Sequence, residues 1–331
     1  MGMTKSLFKR YNWEFMLLII LAAINVMNML ISPYYDIANL ADATNSFLDR
    51  GLIALSMSFV ILTGMIDISV ASTVALSSVV MAVSYTSGCP MEIAVIICLL
   101  VGLLCGMING FLLVKFKELA SMIVTLATQI IYRGIALIIL GDQAAGKFPK
   151  WFKFLGWNSI LGLPCMAWAF IVAFICFAFV LHKTKYGRSL YAIGKNPTVA
   201  RFSGINVDRV VFVNFMLNGL MAGVMALFLT SRTGSSRPNI AIGYEMDIIA
   251  MVVLGGVSTA GGKGRMFGVL ISIFIVGLIR YGLGLININQ QILMIVIGAL
   301  LILSVALPEI RGNFERRRHE KKVAANAQIH A

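Results

Sequence analysis

Trp13-Glu-Phe-Met-Leu-Leu-Ile-Ile-Leu-Ala-Ala-Ile-Asn-Val-Met-Asn-Met-Leu-Ile31 is an almost unbroken apolar run. Lys5, Lys9 and Arg10 precede it, and Ser32-Pro33 and Tyr34-Tyr35 follow. About 20 apolar residues in helical conformation cross the hydrocarbon of a bilayer, where each backbone N–H and C=O must be satisfied within the segment. A secretory signal would end in a small-residue cleavage site. None follows here, so the run reads as an uncleaved first membrane span.

The rest of the chain repeats this pattern. Further apolar runs lie near 47–64, 70–87, 91–114, 120–140, 164–181, 209–230, 246–260, 266–284 and 290–307. Of the 331 residues 59% are hydrophobic and 12% charged, with mean hydropathy +0.90. A soluble domain carries about 45–50% apolar and about 25% charged residues. Half the usual charge excludes a soluble globular enzyme and a disordered chain. The expected fold is all-α and polytopic, with about ten transmembrane helices. Residues 1–310 form the membrane domain, and 311–331 form a basic tail.

The net charge is +13. The basic residues flank apolar runs and no basic-aromatic module occurs, so the charge reads as orientation and not as nucleic-acid affinity. Most of the 27 Lys and Arg residues fall in the N-terminus, the junction at Lys115 and Lys117, the segment 182–208, the junction at Lys263 and Arg265, and the tail. In a ten-span chain these lie on one side, which places both termini in the cytoplasm. Cys89, Cys98, Cys105, Cys165 and Cys176 form no C-x-x-C pair, and His182, His319 and His330 are scattered. No metal spacing and no catalytic constellation is present.

The longest hydrophilic interruption, 182–208, contains a marked short helix. Asn196 suits an N-cap, Pro197 the first helical position and Gly204 the left-handed residue after the C-cap, giving a helix over about 197–203. Two turns are unstable alone in water. The helix must pack on the membrane domain, the lipid surface or a partner.

The pattern Gly187-Arg188 … Ala192-Ile193-Gly194-x-Asn196-x-x-x-Ala200-Arg201-x-Ser203-Gly204-Ile205 resembles the cytoplasmic coupling loop of ribose-type sugar ABC importer permeases. Two further stretches carry the resemblance in the same order: Ile61-Leu62-Thr63-Gly64-x-Ile66-Asp67-Ile68-Ser69-Val70-x-Ser72, and Gly243-Tyr244-Glu245-x-Asp247 running on to Gly261-Gly262-Lys263-Gly264-Arg265. The resemblance covers about residues 13 to 307 and leaves out the tail. It implies a bacterial inner-membrane subunit that pairs with a second permease copy or a paralogue. Two ABC ATPase chains, which carry ATP and Mg, and a substrate-binding protein complete the importer. No cofactor is implied in this chain. Gly194, Asn196, Pro197, Ala200, Arg201 and Gly204 become ATPase-coupling residues. The expected solute is a monosaccharide or deoxy-sugar, rhamnose-, ribose- or autoinducer-2-like. Arg280-Tyr281 departs from the paired amides of ribose permeases, and the stretch before Gly243 looks closer to the rhamnose type.

The chain is not its own ATPase. A phosphate loop needs G-x-x-x-x-G-K-[S/T]. Val257 stands where its first Gly belongs, and Gly264 replaces the Ser or Thr. The glycines read instead as a tight turn between the eighth and ninth spans.

Polar groups within the spans are costly and mark gates, paths or helix contacts. Asp67 reads either as a cap for the helix beginning near Ser69 or as a buried gate contact to a neighbouring Arg or Lys. Arg133 and Arg280 must face protein or water, or snorkel to an interface. Asn109, Gln129 and Asn218 read as translocation-path residues or as helix-joining amides, and Arg133, placed before Gly134 as in the family this chain resembles, as a path-lining or ion-paired residue. Arg232 and Arg237, near a Pro/Gly turn, suit docking of an acidic surface on the binding protein. The competing class is an ion-coupled secondary transporter, which needs intramembrane carboxylates, and mid-span carboxylates are nearly absent here.

Overall fold

The computed structural model describes residues 2–36, 40–289, 291–300, 302 and 306. Helices dominate: α1 (Gly2–Ile31), α2 (Leu40–Ala43), α3 (Leu48–Leu62), α4 (Val70–Thr86), α5 (Met91–Lys115), α6 (Ser121–Leu140), α7 (Lys150–Trp157), α8 (Cys165–Lys183), α9 (Lys185–Lys195), α10 (Pro197–Phe202), α11 (Val207–Thr233), α12 (Tyr244–Leu254), α13 (Met266–Leu285) and α14 (Gln291–Leu300). Six are long and apolar enough to cross a membrane: α1 over Trp13–Ile31, α5, α6, α8, α11 and α13. The expected second, third and eighth spans coincide with α3, α4 and α12, which are shorter, at 15, 17 and 11 residues. The expected tenth span, 290–307, lies partly outside the described residues, and the tail 311–331 lies wholly outside them.

The short helices survive because they are enclosed. Every residue of α3 is buried. A helix of 15 residues spans only about 22 Å, less than the roughly 30 Å of bilayer hydrocarbon. Its irregular continuation through Thr63–Ser69 is tolerated at membrane depth only where protein surrounds it. Asp67, Ile68 and Ser69 are indeed buried. The outer faces of α1, α5, α6 and α8 carry exposed Leu, Ile and Phe side chains, Leu30, Leu104, Ile138 and Phe179 among them. Large exposed apolar faces mark a lipid or protein interface.

α11 and α5 form the tightest helix pair. A Cβ on Gly106 would lie 2.3 Å from the Phe215 carbonyl oxygen, and one on Gly219 would lie 2.3 Å from that of Gly102. Small residues let two membrane helices touch backbone to backbone. This contact fixes α11 at the centre, against α3 and α4 as well.

The two ends of the bundle differ. At one end the chain after α6 pairs with the chain after α11 through the antiparallel strands Ala145–Gly146 and Ser235–Ser236. The amphipathic α7 and the hairpin Ser159–Ile160/Leu163–Pro164 lie nearby. At the other end α3 terminates against α9 and the glycine turn that precedes α13.

Candidate functional site

The segment 182–208 folds as two helices. Thr184 caps α9 by accepting from the Gly187 N–H at 3.2 Å. Asn196 caps α10: its side-chain oxygen accepts from the N–H groups of Thr198 (2.9 Å) and Val199 (3.1 Å). Pro197 occupies the first turn, and Gly204 has φ +81°. The helix ends at Phe202, one residue before the expected 203. Ala200 is buried, whereas Phe202 is 89% exposed and Val199 58%. α10 therefore rests on one small residue and presents an apolar tip outward. Arg201 pairs with Asp208 at 2.6 Å, and Asp208 also takes Lys117 at 2.9 Å. These exposed pairs contribute at most about 1 kcal/mol.

Gly194 welds this segment to the bundle. A Cβ there would lie 1.9 Å from the Leu62 carbonyl oxygen and 2.2 Å from the Gly262 nitrogen. The Gly262 N–H donates to that same Leu62 oxygen at 2.9 Å. Three chain segments thus meet backbone to backbone: the end of α9, the end of α3 and the 258–264 turn. Gly261 and Gly262 both have positive φ, as expected of a tight turn.

Along the other edge of α3 lies a buried polar chain. Ser56 Oγ donates to Asn218 Oδ1 (2.8 Å), and Asn218 Nδ2 donates to Asp67 Oδ2 (2.9 Å). Asp67 Oδ1 accepts from the Ser69 N–H (3.0 Å) and from Ser69 Oγ (2.6 Å). Asn109 Nδ2 donates to Ser69 Oγ at 2.8 Å, and the Tyr132 hydroxyl donates to Asn109 Oδ1 at 3.2 Å. Residues from α3, the 63–69 loop, α5, α6 and α11 are tied together. Asp67, Asn109 and Asn218, singled out separately in the sequence, belong to one network. Of the two readings of Asp67, the contact with the start of α4 is present through the Ser69 N–H and hydroxyl, while its partner on a neighbouring helix is Asn218 and not an Arg or Lys; no ion pair to it occurs among the described residues.

Gln129 and Arg133 flank Tyr132 on α6 and line a cleft of about 520 Å³ together with Ser72, Gly134 and Glu245. Arg133 NH1 donates to the carbonyls of Pro238 (2.5 Å) and Ile240 (2.8 Å). Gln129 Nε2 donates to Glu245 Oε1 at 3.3 Å. Asn28 and Asn214 join helices instead: Asn28 reaches the Leu278 carbonyl, and Asn214 accepts from the Tyr186 hydroxyl, whereas Asn25 bonds the Leu21 carbonyl of its own helix and accepts from the Tyr35 hydroxyl just after it.

A second charged cluster, missed in the sequence, sits at the strand-bearing end. Asp247 takes Arg280 at 2.7 Å and Arg50 at 3.5 Å, and the Arg50 guanidinium lies 3.8 Å from the centre of the Tyr244 ring. Arg280 thus faces protein. Arg232 pairs with Asp49 at 2.9 Å and donates to the Asn45 carbonyl, while Arg237 is exposed. Arg232 clasps α11 to the start of α3, and Arg237 projects from the loop. Among the described residues, no group of three or more His, Cys, Asp or Glu side chains could hold a metal.

A family model described as branched-chain amino acid transport system / permease component matches residues 39–305. The autoinducer 2 import system permease protein LsrD of Yersinia enterocolitica is 35% identical over 307 residues, 91% of this chain and 92% of that protein. The LsrD protein of Escherichia coli K12 is 35% identical over 303 residues, 89% of this chain and 92% of that protein. No solved structure matches the chain.

Proposed function

This chain belongs to the family of branched-chain amino acid transport system permease components, and from that premise we propose that it is the membrane-spanning permease subunit of an ATP-driven sugar importer. Its relatives named for autoinducer 2 import support a small polyhydroxylated solute, a monosaccharide or deoxy-sugar. The chain does no chemistry itself. ATP and Mg belong to ABC ATPase chains, a binding protein delivers the solute, and a second copy or a paralogue completes the path. Ten spans, with α3, α4, α12 and the segment around α14 added to the six long helices, leave both termini and the 311–331 tail in the cytoplasm of a bacterial inner membrane.

The observation that carries this reading is the joint at Gly194. The end of α9, which leads straight into the capped α10 with its exposed apolar tip, packs backbone to backbone on the end of the fully buried α3. In this reading an ATPase groove holds α10, with Gly194, Asn196, Pro197, Ala200, Arg201 and Gly204 setting its position. ATP-driven movement passes through α9 into α3. The Ser56–Asn218–Asp67–Ser69–Asn109 chain acts as the gate that the movement opens. Gln129 and Arg133 line the path beside it.

Co-purification of the tagged full chain with its ATPase tests the joint. Phe202→Glu places a charge on the apolar tip and is expected to cut ATPase capture by about tenfold or more, as loss of a central apolar anchor does. Undiminished capture would remove α10 as the docking element.

Arg237 serves the other partner. Because Arg232 is held by Asp49, the single change Arg237→Glu isolates the docking charge. Uptake is expected to fall by roughly threefold to tenfold at low binding-protein concentration and to recover at saturation, since a rim charge acts mainly on the encounter rate. An unchanged titration would exclude a docking role.

A further inference from the structure

We propose that the cleft between α4, α6 and the start of α12 is a binding site for an uncharged, hydroxyl-rich solute, with Glu245 and Ser72 as its hydrogen-bonding groups. This rests on the permease reading and names the chemistry of its path. Glu245 is 8% exposed; its Oε1 accepts from Gln129, and its Oε2 has no hydrogen-bond partner among the described residues. Ser72 is fully buried, and its Oγ has none either. Buried polar atoms are normally paired, because leaving one unmatched forfeits its hydration without return. Ser72 on α4 and Glu245 on α12 both line the cleft, and a ligand that supplies hydroxyl groups matches these two unpaired atoms. A hydroxyl donates to Glu245 Oε2, and Ser72 Oγ both donates and accepts.

The remaining walls fit the same chemistry. Ile130, Leu137 and Ile242 give the cleft an apolar side, suited to the C–H face of a sugar. The volume of about 520 Å³ lies within the range of small-molecule sites, about 300–1,000 Å³. Arg133 stands in the same wall, fixed by two backbone carbonyls. Its positive charge disfavours a cation beside Glu245. A carboxylate and a guanidinium bordering one opening are costly against lipid tails, so the opening faces water or a second permease. The cleft also adjoins the polar chain: Ser72 lies one helical turn beyond Ser69, and Gln129 and Arg133 bracket Tyr132.

Gly134 provides the test, because a Cβ there meets nothing within 4 Å. Full-length permease is assembled in proteoliposomes with its ATPase and binding protein. Radiolabelled autoinducer 2, ribose and rhamnose serve as probes, and solute moved is counted per ATP hydrolysed. Gly134→Phe is expected to lose about tenfold or more, as plugging a ligand site does. Ser72→Ala breaks no hydrogen bond within the protein, so a purely structural serine would leave transport unchanged; roughly a fivefold loss per ATP is expected for one lost solute contact. Full transport by Gly134→Phe would overturn the site. If that variant fails to assemble, Ser72→Ala decides, and unaltered transport per ATP overturns it. Native uptake that ignores ATP would instead defeat the importer reading itself, which keeps the two failures apart.

Discussion

Gly194→Val is expected to abolish uptake while the protein still reaches the membrane. Even the first added carbon collides with the Leu62 carbonyl and the Gly262 backbone. Both are main-chain atoms, so no side-chain rotation relieves the contact. Overpacking of this kind costs about 1–3 kcal/mol and sometimes more. That is less than the roughly 5–15 kcal/mol of a folded domain. The bundle therefore holds, and the α9–α10 unit is pushed away from α3. Membrane abundance is expected within about twofold of native, with uptake reduced at least about a hundredfold, because a misplaced joint transmits no motion. Gly204→Val is the calibrating variant. Gly204 has φ +81° but open space around it, so only backbone strain of about 1–2 kcal/mol applies. Its effect on uptake is expected to be clearly smaller. Equal effects of the two would show that cap strain, and not the welded joint, is what matters.

Asn218→Leu is expected to give the largest loss of stability within the polar chain. Its amide donates to Asp67 and accepts from Ser56, both buried. Leucine leaves the Asp67 carboxylate with Ser69 as its remaining partner in this chain. A hydrogen bond to a buried carboxylate is worth about 1.5–3 kcal/mol. A neutral hydrogen bond lost on its own costs about 0.5–1.5 kcal/mol. Asp67→Asn, which removes the charge and keeps the shape, is therefore expected to be the milder change. The double variant is expected to be less damaging than the sum of the two, because once the charge is gone its missing partner matters less. Thermal unfolding in lipid nanodiscs and uptake in vesicles measure both consequences. Strict additivity would mean that Asp67 and Asn218 are not coupled.

Helix positions were legible because apolar runs broken by Gly, Pro and charge are a local signal. The observed limits of α4, α5, α6, α8 and α13 fall within two residues of those expected. The α10 cap was legible for the same reason, since Asn196, Pro197 and Gly204 act on their immediate neighbours. α9 was missed because the segment looked merely hydrophilic. Yet Gly187, Leu190 and Ile193, its buried residues, recur every three positions, and that spacing was present in the sequence. The charged cluster could not be read this way. Asp49 and Arg232 are 183 residues apart, and Arg280 and Asp247 are 33 apart. Only the packing of α3, α11, α12 and α13 brings them together. Beyond α1, which holds the buried Glu14, four carboxylates, Asp49, Asp67, Glu245 and Asp247, are buried among the described residues, where the sequence showed almost none at mid-span. Each lies near a helix start or in a loop, so a scan of span centres passes over them. Asp49 and Asp247 are matched by arginines and Asp67 by Asn218.

Solute uptake by proteoliposomes holding the full chain, with and without its ATPase, bears most directly on the importer reading. With autoinducer 2, ribose and rhamnose as probes and the binding protein supplied, uptake of at least one is expected only when ATPase and ATP are both present. It is expected to remain when proton and sodium gradients are collapsed. Uptake that persists without the ATPase and vanishes with the ion gradient would contradict the reading and make this chain an ion-coupled transporter.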